Sequence, residues 1–480
     1  MGTIREAGSS VAKDYRSISF WLESCEDDLT PRPALNGSIE VDVAILGAGF
    51  TGLWTAYHLL EREPSLRVAI LEAEIAGYGA SGRNGGWCYS GFPVSVEKMK
   101  REWGIDAARA VQRSMFDAVD DVGRVCELEQ IDAHYTQSGT IEMGRSPYQM
   151  DDIHETYEQY CSLGLEAHYE MLDQHQLADY LRVRGAIGAI RMHSGASIQP
   201  ARLARGLAQA VERHGATIYE QTRVTEVVPR VAATNGVGGS KPVLRTNRGD
   251  VTAETVVLAG EGYLSHLKDY TRTITPMYSY MVVTEPLGPE VWEQIGWKDR
   301  EVVGGFGLNA GYLNHTADGR IAFGPYAGGY RFNSGVSDDM TSAADIFEHG
   351  RYAAQDWFPM LKDVQFTHQW GGVFGVSRDW TPMMVHNRET GIALAKGYGG
   401  EGVATTNLSG RVLADLITGR DTENTRLPMT RHQSPQWEIE PLRWLGVTLT
   451  RRERDRIQDS LERTGKPPKR TSPLARFLKR

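Results

Sequence analysis

The sequence is poor in cysteine. Its 480 residues hold four, Cys25, Cys88, Cys126 and Cys161, with no C-x-x-C pair. Such scattering argues against a disulfide framework or a structural zinc site, so no metal is expected and a reducing compartment fits. Positive charge is also in deficit, with 52 Lys and Arg against 61 Asp and Glu for a net charge of −9. Nucleic acid is therefore not an expected partner, because phosphate binding needs a basic face. A cationic substrate is compatible with that balance. No run approaches the roughly 18 apolar residues that span a bilayer, so no membrane association is expected. The opening MGTIREAGSS lacks a basic region followed by an apolar stretch, and the closing Leu-Lys-Arg is no peroxisomal address. The expected location is the cytoplasm.

What is present is enough chain for two lobes, since one hydrophobic core does not grow to this length. Residues 1–40 are polar, contain Pro31, Pro33 and Gly37, and read as an extended arm. VDVAILGAGFTGLWTAYHLL follows. Residues 41–46 are short, apolar and β-branched, as a strand buried on both faces should be. From Thr51 the residues Leu53, Ala56, Tyr57 and Leu60 fall at helical spacing, and residues 67–71 form a second buried strand ending at Glu72. Further on, the spacing predicts a helix from 94 to about 128 and another through Leu203, Leu207 and Val211, ended by His214 and Gly215. Residues 217–228 and 251–258 read as strands flanking a hairpin-like loop with Asn235-Gly236 and Gly238-Gly239. Strands are expected at 274–283 and 392–395, and a helix at 402–417. Residues 451–480 hold eleven Lys or Arg against four Asp or Glu and read as a solvated, partly disordered tail.

The glycines of GAGFTG are Gly47, Gly49 and Gly52, with Ala48, Phe50 and Thr51 between them. Gly47 lets the strand turn sharply, Gly49 admits a pyrophosphate close to the backbone, and Gly52 lets the helix pack on the strands. The pyrophosphate would meet the unpaired N–H groups of the helix N-terminus. Glu72, followed by Ala73, is placed to accept hydrogen bonds from the adenosine ribose and would repel a 2′-phosphate.

Three later segments choose between dinucleotides. GYGASGRNGGWC at 77–88, TVVLAGEGY at 255–263 and GYGGEGVATTNLSGRVLADLI at 397–417 resemble the D-amino-acid-oxidase-like FAD superfamily. That superfamily includes glycine oxidase, sarcosine oxidase and γ-glutamylputrescine oxidoreductase. The arm PRPALNG and the late EPLRWLG look most like the last branch. The resemblance implies an α/β fold: a Rossmann-type FAD-binding domain from 1–95, 195–265 and 366–430, and an α+β substrate lobe with an antiparallel sheet from 96–194 and 266–365. Residues 431–480 would form a C-terminal extension. It implies that Ala80, Ser81, Arg83, Asn84, Gly85 and Gly86 run along the cofactor, with Arg83 and Asn84 as donors. Val224 would lie beside the adenine, Ala259 and Gly260 under the pyrophosphate, and Gly399, Gly400, Gly402 and Val403 at the flavin.

Departures from the family pattern bear on chemistry. WGGVFGVSRDWTPMM at 370–384 lacks the cysteine by which sarcosine oxidases hold flavin, so the FAD is expected to be noncovalent. Cys88 reads as an inert small residue. Glu401 stands where sarcosine-type members have histidine, and Ala404 near the place of a carboxylate-binding lysine. Glu401 would either pair with a substrate ammonium group or simply favour its helix N-terminus. Tyr278 and Tyr280 would either wall a cationic substrate or pack in the core, and Tyr280 joins Glu401 as a candidate catalytic residue. Arg320, Arg331 and Arg378 could take a remote carboxylate. The implied reaction is oxidation of an amine C–N bond to an imine and then an aldehyde, with reduced FAD reoxidised by O2 or another acceptor. The alternatives are an amino-acid or 2-hydroxy-acid dehydrogenase of the superfamily, or a flavin-binding protein without catalysis.

Overall fold

The aliphatic segment Val43–Leu46 pairs in parallel with Val68–Leu71 on one side and Thr255–Leu258 on the other. A computed structural model describes residues 13–231, 239–307, 311–325, 328–466, 468 and 472–473, and these three strands lie at the middle of a six-stranded sheet. Its order is Met383–Asn387, Ile392–Lys396, Thr255–Leu258, Val43–Leu46, Val68–Leu71, Thr217–Tyr219. All neighbours are parallel except the edge strand Met383–Asn387. Both faces are covered, which explains the unbroken apolar runs. Val43 and Ile45 join a core with the helices Phe50–Arg62, Pro200–Arg213 and Gly402–Thr418. Ala44 faces the other way, toward Leu244, Val251 and Leu264.

The same pleat splits two of the expected strands. Residues 217–228 form Thr217–Tyr219 in the large sheet and Val224–Val228 in a separate four-stranded sheet, with Gln221 at φ 53° turning the chain between them. Residues 251–258 divide likewise into Asp250–Thr252 and Thr255–Leu258. The two expected flanks do not pair with each other: Val224–Val228 pairs antiparallel with Val243–Thr246, a strand within the expected loop, and that strand pairs in turn with Asp250–Thr252, while Asn235, Gly236 and Gly238 lie outside the described residues. The expected helix from 94 to 128 is two, Val96–Trp103 and Ile105–Leu128, broken at Gly104 with φ 83°.

The second lobe is an eight-stranded sheet. Its order is Phe366–Val376, Thr275–Thr284, Ile321–Gly324, Tyr312–His315, Val302–Gly305, Thr140–Gly144, Gly188–Met192, Tyr169–Asp173. One pair, Val302–Gly305 with Thr140–Gly144, is parallel and the rest antiparallel.

Both termini depart from their sequence reading. The arm contains the short helix Phe20–Glu23, whose Phe20, Trp21 and Leu22 are buried, and the Trp21 indole N–H donates to Asn84 O at 2.6 Å. The basic tail begins as a helix, Leu442–Thr464. Opposite charges one turn apart, Glu453 with Arg456 and Arg451 with Asp455, support it where composition alone suggested disorder. Pro467 and most of the residues after it lie outside the described residues. Among the described residues no helix is long and apolar enough to cross a membrane.

Gly410 brings the helix Gly402–Thr418 against Phe50–Arg62. A Cβ there would stand 2.6 Å from the Trp54 carbonyl carbon, whereas a Cβ at Gly446 meets nothing within 4 Å. Gly410→Ala should therefore lower stability by about 1–3 kcal/mol through overpacking. Gly446→Ala, within an open helix face, should raise it by about 0.5–1 kcal/mol. Thermal melts of the two variants should move in opposite directions.

Candidate active site

A cavity of about 2400 Å³ is walled by both large sheets and by the loops at their edges. At its inner end the glycine turn is fixed by close packing. Gly47 has φ 101° and a Cβ there would lie 2.8 Å from Ala259 O; at Gly52 it would lie 1.9 Å from Gly47 O. The Glu72 carboxylate accepts from the Ala48 and Glu74 N–H groups, both at 2.9 Å, and burial pushes it up to about 7. The Phe50 N–H donates to Ser81 Oγ at 2.8 Å, which folds the 77–88 segment over the helix start. Gly47, Gly49, Phe50, Thr51, Glu72, Ala73, Ala80, Ser81, Arg83, Asn84, Gly85, Val224, Ala259, Gly260, Gly399, Gly400, Glu401, Gly402 and Val403 all line the cavity. Ala48, Gly52, Gly86 and Tyr280 do not.

These contacts change the reading of four residues, Arg83, Asn84, Gly86 and Tyr280. Arg83 is mostly committed within the protein: its guanidinium donates to Tyr78 O and Asp338, each at 2.8 Å, and clamps the two lobes together. Its Nη2 alone is buried with no hydrogen-bond partner. The Asn84 side chain closes on its own loop, donating to Ala80 O and Ser81 O and accepting from the Gly86 N–H. Gly86 acts by close approach, since a Cβ there would meet Asn314 Nδ2 at 2.3 Å. Tyr280 packs edge-on against Phe347 at 5.6 Å in the core of the substrate lobe. Its neighbour Tyr278 lines the cavity, with Arg331 over its ring at 4.3 Å.

The remaining arginines separate in the same way. Arg320 pairs with Asp318 away from the cavity, while Arg378 lines it and pairs with Glu438. Cys88 is fully buried and outside the lining; burial pushes its thiol well above the ordinary value.

Two carboxylates went unnoticed in the sequence. Glu261 has φ 44°, follows the Ala259-Gly260 turn, and accepts from the Gly375, Gly397 and Tyr398 N–H groups at 3.2, 3.0 and 3.3 Å. It ties the glycine loop to the turn beneath the cofactor cradle, and its position directly after two small residues was the available signal. Glu142, on Thr140–Gly144, lines the cavity with Glu401, and the Tyr89 hydroxyl stands 3.4 Å from its Oε2. Burial, reinforced by the nearby Glu401 charge, pushes Glu142 up to about 7. Glu401 begins the helix Gly402–Thr418 but its side chain makes no capping hydrogen bond there.

Residues 42–416 match the sequence profile of the FAD dependent oxidoreductases called DAO. The chain belongs to this family. It is 30% identical over 403 residues to the gamma-glutamylputrescine oxidoreductase of Escherichia coli strain K12, covering 84% of this chain and 89% of that protein. It is 23% identical to the glycine oxidase of Geobacillus kaustophilus over 82% of this chain and 97% of that one. A crystal structure of the Geobacillus kaustophilus glycine oxidase superposes with a TM-score of 0.66 at 21% identity, over 82% of this chain and 100% of that chain. As a DAO-family flavoprotein the chain takes FAD, and the cavity fits it. The Gly47 and Gly52 contacts leave the turn no room for side chains, Glu72 is held in place at the inner end, and Arg83 keeps one buried donor unfilled.

Glu72→Ala should weaken FAD affinity about ten- to a hundredfold, because hydrogen bonds to a charged acceptor are worth roughly 1.5–3 kcal/mol. An equilibrium titration of apoprotein with FAD checks this; unchanged affinity in a folded variant would contradict the ribose role. With no cysteine among the described lining residues, acid precipitation should release all the flavin as FAD. Glu72, Glu142 and Glu261 are all raised from 4.5 to about 7. Each stabilises the fold while protonated and loses that contribution as pH rises through its folded value. FAD-free protein should thus melt lower at about pH 8 than at about pH 5.5, and Glu142→Gln should narrow the gap. Equal melting temperatures at both pH values would refute the assignment.

Proposed function

We propose that this protein oxidises the C–N bond of a cationic amine to an imine, which hydrolyses to an aldehyde, with O2 or another acceptor taking the electrons. One observation carries the reading: Glu142 from the substrate sheet and Glu401 from the glycine loop face one cavity, close enough for each charge to act on the other. Two sheltered carboxylates attract an ammonium group and repel a second anion. A 2-hydroxy acid would bring its own negative charge beside them, which disfavours that alternative. The E. coli relative, by its name, acts on γ-glutamylputrescine, an amine of this kind.

FAD, when bound, supplies the two-electron acceptor. Under this reading Gly47, Gly49, Phe50, Thr51 and Ser81 hold its phosphates, Glu72 its ribose and Val224 its adenine. The N-terminal N–H groups of the helix Gly402–Thr418 offer a positive dipole end to the ring system. Glu401 holds the substrate ammonium in place. Glu142, poised near 7, accepts a proton from that ammonium at a carboxylate oxygen, leaving the neutral amine that can be oxidised. Trp87, Tyr89, Tyr312 and Phe374 line the chamber and limit water around the charges.

Anaerobic stopped-flow with polyamines, γ-glutamylated amines, N-methyl amino acids and hydroxy acids tests this. Cationic amines should bleach the flavin and hydroxy acids should not. Glu142→Gln and Glu401→Gln keep size but remove charge. Breaking a sheltered pair costs roughly 2–5 kcal/mol, so each should lower kcat/KM for reduction more than about tenfold with FAD retained. Normal reduction rates in both variants would sink the acidic-pair mechanism.

A further inference from the structure

The helix Leu442–Thr464 lies beyond the family match, which ends at residue 416. Its inner face is committed: Arg443 is buried and donates to Glu438 O and Ser334 Oγ, both at 3.1 Å, and Val447, Ile457 and Leu461 wall the cavity. The opposite face is open. Leu445 and Leu449 are 42% and 47% exposed, and neither lines the cavity. Ile439, Leu442 and Trp444 are exposed beside them, and Phe332 stands edge-on to Trp444 at 6.5 Å. Six of the eleven exposed large apolar side chains among the described residues thus gather on one part of the surface, a grouping that marks an interaction face where single exposed residues do not. The turn after Phe332 holds Asn333 and Ser334 at φ 57° and 54°, a conformation costly for residues other than glycine, and it is kept although it leaves the ring 57% exposed.

Along the same stripe the character changes. At steps of three and four residues after Leu449 come Arg452, Arg456, Asp459 and Arg463, all exposed. The stripe is apolar where it begins and net positive where it ends. In the sequence, residues 467–480 add five Lys or Arg and no Asp or Glu.

We propose that this stripe docks the protein on an anionic lipid surface, with Trp444, Leu445 and Leu449 entering the acyl boundary and Arg452 and Arg463 meeting the lipid phosphates. An apolar stripe continued by basic residues is what holds a helix in the plane of a bilayer interface. A tryptophan ring suits the headgroup level, and the arginines complement the negative charge of the phospholipid. A second copy of the chain fits less well. A two-fold contact sets the stripe against itself, so it either brings arginine to arginine or lays leucine against arginine. Docking in the interface plane asks only for such a stripe, and not for the long apolar run whose absence from the sequence led to the expectation of no membrane association.

The test is cosedimentation of holoenzyme with sucrose-loaded vesicles of equal parts phosphatidylcholine and phosphatidylglycerol, beside vesicles of phosphatidylcholine alone. The wild type should pellet with the mixed vesicles and bind the neutral ones about tenfold more weakly. Leu445→Gln/Leu449→Gln and Arg452→Gln/Arg463→Gln should each lower binding to the mixed vesicles about tenfold. FAD content and melting temperature should stay as in the wild type, because none of these side chains lines the cavity. A wild type that remains in the supernatant overturns the proposal, and so does either variant if it pellets like the wild type. Equal binding to neutral vesicles also overturns it. Light scattering without lipid reads the last outcome: a dimer that Leu445→Gln/Leu449→Gln converts to monomer assigns the stripe to a second copy, and the lipid reading falls.

Discussion

Leu46, Leu71 and Leu258 lie side by side in register at the ends of three parallel strands. That register dictates the rest of the site. Whatever follows each strand must emerge at one edge of the sheet, so Gly47, Glu72 and Ala259 arrive together although Ala259 comes from a distant part of the chain. The fit is tight enough that a single Cβ at Gly47 would strike Ala259 O and one at Gly52 would strike Gly47 O. Parallel pairing, helix packing and a cradle for a dinucleotide are here the same constraint.

Buried carboxylates then divide the labour. Glu72 and Glu261 are surrounded by backbone N–H groups and serve as brackets, one at the glycine turn and one between that turn and the glycine loop. Glu142 resembles them in burial and in its raised proton affinity, yet it receives no backbone donor and meets Tyr89 and the field of Glu401 instead. A buried acid without a structural bracket to maintain is costly to the fold, which is why it stands out as a group with chemistry to do.

The lobes are locked across the cofactor segment. Trp21 from the arm and Trp370 from the substrate sheet donate to the carbonyls of Asn84 and Arg83, and the Arg83 guanidinium reaches Asp338. The segment 77–88 is thus held by both halves of the protein, so its small residues can stay open to the cavity without losing their position.

Much of the cradle was legible because its causes are local. A buried strand, a turn that only glycine tolerates, a helix and an acidic residue at the end of the next strand are written within about thirty residues, the span of one βαβ unit. Tertiary structure decided what depends on partners far along the chain. Arg83 read simply as a ligand donor, and only the fold shows that Asp338 and Gly371 take part of its guanidinium. Tyr278 and Tyr280 share a strand and are both buried in the core, and only tertiary packing shows that Tyr278 also borders the cavity while Tyr280 meets Phe347. Glu142 had no motif around it, because its meaning arises from Glu401, which reaches the same wall from another element. The C-terminal helix looked like a charged tail because composition does not reveal what a helix face is laid against. The sequence alone determined the local geometry that a dinucleotide requires. Which charges meet in the substrate chamber was settled by the folding of two sheets against each other, because Coulombic and burial effects act through space and not along the chain.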